Sequence, residues 1–292
     1  MVKTNRTMDY LKPSEVVKTM LTAGTAKTAL SVKDLLLRGF LSGALLGFAT
    51  SLAITGTLQT NTPLVGALVF PVGFVMIVLL GLELVTGSFA LVPLAGLEGR
   101  SSWSRVCSNL GWVFAGNLLG SVVYGGLLWI ALTSMGTEAP SGIALKIIAA
   151  AEAKTNAYAA HGSAGMVTVF VKAILCKWMV CLGVVMAMTS QSTIGKIVAM
   201  WLPIVTFFGQ GFEHSVVNMF LIPTGMLLGA KVSFADWWLW NQIPVTFGNL
   251  VGGLLFTGLF LYWTYGPAKA PARAAVIPRS AANSGCDWKA KL

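Results

Sequence analysis

The sequence predicts an all-α membrane protein, with six transmembrane helices in two inverted three-helix repeats and the second and fifth spans broken. Three observations lead there. The 292 residues are 55% hydrophobic and only 10% charged, whereas an ordinary soluble domain carries about 25% charged residues. The apolar residues fall into six runs long enough to cross a bilayer. The second and third runs share features with the fifth and sixth at a nearly constant offset. The same composition excludes disorder, collagen and a disulfide scaffold. The four cysteines (Cys107, Cys176, Cys181, Cys286) follow no metal or disulfide spacing.

The chain opens with a polar, basic stretch that does not read as a cleavable signal peptide. An amphipathic helix is expected over 13–33. Pro13-Ser14-Glu15 makes its start, Val16, Val17, Met20 and Leu21 its apolar side, and Lys12, Lys18 and Lys27 its solvated partners. It reads as a surface anchor or a subunit-packing helix ahead of the membrane domain, which takes up residues 36–265. A hydrocarbon core of about 30 Å needs roughly 20 apolar residues per helix. Spans are expected at 36–58, 64–97, 107–134, 165–190, 197–230 and 245–265, giving repeats over 36–134 and 165–265. Residues 136–163 read as a polar outer loop with a short Ala-rich helix near 143–154. Residues 266–292 read as a disordered tail.

Charge sets the orientation. Seven Lys/Arg lie up to Arg38 (Lys3, Arg6, Lys12, Lys18, Lys27, Lys33, Arg38) and five in the C-terminal tail (Lys269, Arg273, Arg279, Lys289, Lys291). Arg100, Arg105 and Lys196 bring that face to 15, against Lys146, Lys154 and Lys231 on the other. Positive charge gathers on the cytoplasmic side, so both termini are expected there, in a multi-pass protein of the inner cell membrane. The net charge of +10 therefore points to a lipid surface rather than to nucleic acid.

Runs 64–97 and 197–230 are too long for one span. As continuous helices they would reach about 50 Å. Each holds one acid followed by small or polar residues: Glu83-Leu84-Val85-Thr86-Gly87-Ser88 and Glu213-His214-Ser215-Val216-Val217-Asn218. Each reads as two half-helices around a break, which survives at membrane depth only inside protein or beside a cavity. Gly116-Asn117-Leu118-Leu119-Gly120 in the third span recurs as Gly248-Asn249-Leu250-Val251-Gly252 in the sixth. Three spans per half is odd, so the halves are inverted, an architecture of channels and transporters.

Ionisable groups inside a bilayer are costly and face a cavity or one another. Here they are Glu83, Lys172, Lys177, Glu213 and His214, with Asn117, Asn218 and Asn249 as neutral donors. Lys172 is near enough to a span end to snorkel. Lys177 is deeper, and its plain structural reading is an ion pair with Glu83 or Glu213. His214 sits in the fifth-span break beside an acid, in a chain with only two histidines, and reads as functional. No nucleophile elbow, zinc helix, paired CxxC or phosphate loop is present, so neither an enzyme nor a cofactor or metal is expected.

Taken together these residues resemble the formate/nitrite transporter family, over about residues 13–265. The most specific stretch is Gly211-Phe212-Glu213-His214-Ser215-Val216-Val217-Asn218-Met219-Phe220 with Ile222-Pro223 and Gly225. Ile243-Pro244-Val245-Thr246 leading to Gly248-Asn249 follows, with Val180-Cys181-Leu182, Gly39-Phe40 through Gly47, and Glu83 to Gly87 in support. The resemblance implies a homopentamer with an aquaporin-like pore in each subunit, passing small monovalent anions or their conjugate acids. Position by position it implies His214 as the central pore histidine and Thr86 as a loop hydroxyl bonded to it. Phe70, Phe74 and Phe207 would line the pore, Leu84 and Val180 would form the cytoplasmic constriction, and Lys154 would be the basic residue of the outer vestibule. Lys177 stands where the family often has Asn, and a lysine there attracts an anion directly. Formate is the expected substrate, with protons carried or lent along the way. Nitrite, hydrosulfide and lactate remain alternatives, and a neutral-solute channel resembling those for water or glycerol would share the architecture.

Overall fold

The computed structural model describes residues 9–267. The expected disordered tail and Cys286 lie outside them. Helix α1 (Pro13–Thr28) begins where the Glu15 carboxylate accepts from the Lys12 backbone N–H. Its buried Val16, Val17, Met20 and Leu21 pack on Leu91, Leu94 and Val185. The apolar side expected to meet lipid or another subunit is thus covered by this chain itself.

Ahead of α1, the Asp9 carboxylate accepts from the backbone N–H groups of Gln191 (2.7 Å) and Ser192 (2.8 Å) and from the Ser190 hydroxyl (3.0 Å). The Leu11 N–H donates to Thr189 O at 2.8 Å. The backbone bond from Ser192, then that from Gln191, holds the Asp9 carboxyl below its ordinary range. A depressed folded value means that the latch contributes fully above the unfolded value of about 4. It is lost as pH falls further, through the folded value. Asp9→Ala is expected to release residues 9–12 at neutral pH, read as faster hydrogen exchange at the Leu11 amide; unchanged exchange there would count against the latch.

Helices α2 (Val32–Thr60), α7 (Trp103–Thr133), α10 (Gly162–Ala187) and α13 (Phe234–Tyr265) are long and apolar enough to cross a membrane. Helix α2 starts before the apolar run because the Ser31 hydroxyl caps the Asp34 N–H. Helix α13 starts at Phe234 rather than near 245. There Ser233 and Asp236 cap each other reciprocally, and the polar Asn241 and Gln242 that follow are buried with partners. Helix α13 carries wide π-helical turns at Trp238–Gln242 and Gly252–Leu259.

The two overlong runs are divided. The first consists of α3 (Pro63–Val69), α4 (Pro71–Leu79), α5 (Val85–Ser88) and α6 (Val92–Leu97). It is cut more often than two half-helices require, because Pro71 and Pro93 lack an N–H and stand at helix starts. Thr86 consequently lies in the helical turn α5 and not in a loop, which corrects the reading of it as a loop hydroxyl. The second run is α11 (Thr193–Gly209) and α12 (Ser215–Leu228). Both breaks begin with a glycine in the left-handed region, Gly81 at φ 62° and Gly211 at φ 66°. Between the halves lie α8 (Ile143–Ala153) and α9 (Asn156–Ala159), matching the short helix expected there.

The repeated G-N-L-x-G motif marks where long helices touch. A Cβ on Gly116 or Gly120 of α7 would lie 2.7 or 1.8 Å from Leu36 O or Phe40 O of α2. On Gly248 or Gly252 of α13 it would lie 2.7 or 2.3 Å from Phe170 O or Ile174 O of α10. Small residues let helix backbones meet where water cannot drive association.

Candidate functional site

The site begins with what the breaks leave unpaired. Backbone groups freed by a broken helix must find partners inside the protein. In the first half the Asn117 Oδ1 accepts from Val85 N–H at 2.9 Å, while its Nδ2 donates to Gly39 O (2.8 Å) and Glu83 O (2.9 Å). In the second the Asn249 Oδ1 accepts from Ser215 N–H at 2.9 Å, and its Nδ2 donates to Ala173 O (2.8 Å) and Glu213 O (2.9 Å). Both asparagines are fully buried. Each ties its break to the helix start and to a neighbouring long helix. The residue presented just before the half-helix is extended in both halves: Leu84 at φ −116°, ψ 114° and His214 at φ −117°, ψ 118°. The two halves thus present a leucine and an imidazole in equivalent backbone settings.

The glutamates point elsewhere. Lys27 Nζ donates to both oxygens of Glu83, at 2.7 and 2.8 Å. Glu213 accepts from Lys154 Nζ (2.8 Å), Tyr158 OH (2.9 Å) and Asn218 Nδ2 (2.8 Å). Asn109 and Asn241 each donate, at 2.8 Å, to the backbone oxygen of the pairing lysine. The expected pairing of Lys177 with Glu83 or Glu213 is therefore not made, because each acid already has its own lysine. Lys154, the basic residue that the resemblance places at the outer vestibule, is 21% exposed and ion-paired with Glu213. The halves also differ. Asn218 bridges Glu213 and Asn241, whereas Ser88 at the corresponding place is shorter and leaves its own Oγ and Asn109 Oδ1 without partners.

His214, Thr86 and Lys177 meet. The His214 Nδ1 accepts from Val217 N–H at 3.3 Å. Its Nε2 lies 3.1 Å from Thr86 Oγ1 and 3.3 Å from Lys177 Nζ. All three side chains are buried, and the Cys181 thiol donates to Thr86 O at 3.4 Å behind them. Phe207 lies 5.7 Å from the imidazole, centroid to centroid, with Phe70 edge-on to it at 5.6 Å. Phe74, Leu84 and Val180 belong to the same apolar cluster as these two phenylalanines. A cavity of about 350 Å³ opens beside Lys27, Arg38 and Glu83 and reaches Leu84 and Gly87, on the face of the chain that carries α1. Lys172 reaches neither group; its ammonium lies 5.7 Å from the Tyr158 ring centroid.

Lys27, Asn109, Tyr158 and Asn241 are site residues that sequence reading missed. The repeat offset that pairs Asn117 with Asn249 also pairs Asn109 with Asn241, so two of them carried a usable signal. Lys27 and Tyr158 lie in segments with no such register.

Comparison with known proteins follows the same outline. Residues 14–263 match the model of a family described as formate/nitrite transporter. A probable formate transporter of Methanothermobacter thermautotrophicus is 35% identical over 273 residues, covering 88% of this chain and 97% of its own. The formate channel FocA of Escherichia coli K12 is 30% identical over 290 residues, covering 90% and 96%. Among solved structures, an FNT family ion channel superposes with a TM-score of 0.74 at 28% identity, over 87% of this chain and 100% of that one. A pentameric formate channel with formate bound gives 0.65 at 26%, over 80% and 97%.

Proposed function

The chain belongs to the formate/nitrite transporter family, all-α integral membrane proteins, and from that premise we propose that it carries formate across the inner membrane past His214. The observation that supports this reading most is the buried meeting of His214 Nε2 with Thr86 and Lys177, flanked by Phe207, Phe70, Phe74, Leu84 and Val180. A bare anion is costly in dry apolar surroundings and its neutral acid much less so. Apolar residues on either side exclude water and hydrated ions. Between them His214 hydrogen-bonds the substrate and lends or gives it a proton, so passage depends on pH.

The rest of the reading follows the same logic. Six crossings in two inverted repeats bring the two half-helices together, with Asn117 and Asn249 holding the breaks and Glu213 and Asn218 bracing the His214 side. The excess of Lys and Arg supports cytoplasmic termini. The relative described as a pentameric formate channel supports a homopentamer with a separate passage in each subunit.

Uptake of formate, nitrite and lactate into liposomes holding the purified protein tests the reading across pH. Formate is expected to enter fastest, and His214→Asn and His214→Phe are expected to alter the pH dependence of its entry. An unchanged profile in both variants would remove His214 from the mechanism, and preferential nitrite entry would change the substrate but keep the site.

A further inference from the structure

Among the described residues, the hydrogen bonds around His214 leave one buried donor, the Lys177 ammonium, without an acceptor. Val217 N–H donates to Nδ1, so the neutral imidazole carries its proton on Nε2. That N–H faces Thr86 Oγ1 at 3.1 Å and Lys177 Nζ at 3.3 Å. A protonated Lys177 has three donors and no lone pair, and Nε2 is its one hydrogen-bond contact among the described residues. The Nε2–H can donate to Thr86 Oγ1, whereas the Lys177 ammonium meets only that same protonated nitrogen.

Charge is unbalanced at the same point. Lys177 is fully buried, and neither of the ion pairs among the described residues includes it. Its own helix offers Cys176 and Cys181, α5 offers Thr86, the break offers His214, and α13 presents Gly253 to its stem. Among the described residues no carboxylate is free nearby, because Glu213 is held by Lys154, Tyr158 and Asn218. A buried ammonium needs a counter-charge.

We propose that Lys177 is a substrate-binding residue which, with the His214 Nε2–H, forms a two-armed site for the two oxygens of a small carboxylate. One oxygen takes the Lys177 ammonium; the other takes Nε2–H, with the Thr86 hydroxyl donating alongside. The anion is then charged when it reaches His214, and any proton transfer follows binding. This rests on the carboxylate-transport reading above and adds which group neutralises the charge and why a carboxylate is preferred to a single-atom anion. An unprotonated lysine would instead accept from Nε2–H and leave no anion site.

The test uses the full-length purified protein, with formate binding by calorimetry and formate uptake in liposomes. Lys177→Met keeps the stem and removes the charge; Lys177→Gln keeps a neutral donor. Losing a charge-assisted hydrogen bond is expected to raise both Kd and KM for formate about tenfold or more in Lys177→Met, with maximal flux changed less than about threefold. Lys177→Gln is expected to fall between, and it decides by the same criterion if the methionine variant does not fold. Chloride is expected to displace formate poorly from the wild type and no more poorly from Lys177→Met. Variants that bind and transport formate like the wild type overturn the assignment of Lys177 alone. Chloride displacing formate as readily as acetate does overturns the two-armed geometry. A wild type that moves no formate overturns the transport reading and this proposal together.

Discussion

Asn249→Ala is expected to cost the protein most of its stability and nearly all of its flux. One buried side chain supplies the acceptor for Ser215 N–H and donors to Ala173 O and Glu213 O. Leaving a buried polar group unpaired costs about 1–3 kcal/mol, so three together reach a size comparable with the ordinary margin of about 5–15 kcal/mol. The residue between the two anchored groups is His214, so the same change that loosens the break also releases the imidazole from Thr86 and Lys177. Asn249→Asp separates the contributions. It keeps the acceptor for Ser215 N–H but aims a carboxylate at two carbonyl oxygens, and is expected to be no better than alanine. Asn117→Ala is the mirror test at Val85, Gly39 and Glu83. Thermal melting in detergent and formate uptake read all three; an Asn249→Ala protein that melts and transports like the wild type would show that the break is held by packing alone.

Lys154→Met is expected to destabilise through Glu213. The carboxylate is buried and retains only the neutral donors Tyr158, Asn218 and, at 3.4 Å, Asn241 once the ammonium is gone. Breaking a buried pair by removing one partner costs about 3–5 kcal/mol, because the remaining charge is left unpaired. Glu213→Gln in the same chain removes that charge, so the double variant is expected to recover much of the loss seen in Lys154→Met. That non-additivity identifies the pair. A lysine acting only as a rim charge gives another pattern: slower uptake at low salt, no change in melting, and no rescue by Glu213→Gln. Additive losses would show that the ammonium contributes no buried pair with Glu213.

Much of this was visible in the residues. The glycines and asparagines of the two G-N-L-x-G motifs, and the acids that open the two breaks, stand out because a repeat repeats its chemistry at a fixed spacing. Asn109 and Asn241 obey the same spacing but lack a flanking motif, and so went unread. Partner choice was harder. Lys177 looked like the mate of Glu83 or Glu213 because all three are charges at depth. Lys27 and Lys154 reach those acids from outside the spans, through α1 and the turn after α8, and nothing in a linear reading measures that reach. The start of α13 was missed for a related reason: Asn241 and Gln242 look like loop residues until Lys154 O and Ser215 Oγ are seen to pair with them.

By itself the sequence determined that this is a membrane protein, with six apolar runs, a motif that recurs in the third and sixth of them, and an acid in each of the two overlong runs. Hydropathy, charge asymmetry and repeated small residues are properties of order along the chain, and the solvent and the backbone act on them locally. Only the tertiary structure decided which lysine neutralises which glutamate, that α1 is buried against its own chain, and that Lys177 faces an imidazole rather than an acid. Those outcomes depend on distances of about 3 Å between residues scores of positions apart, where each buried charge takes the partner that packing brings to it.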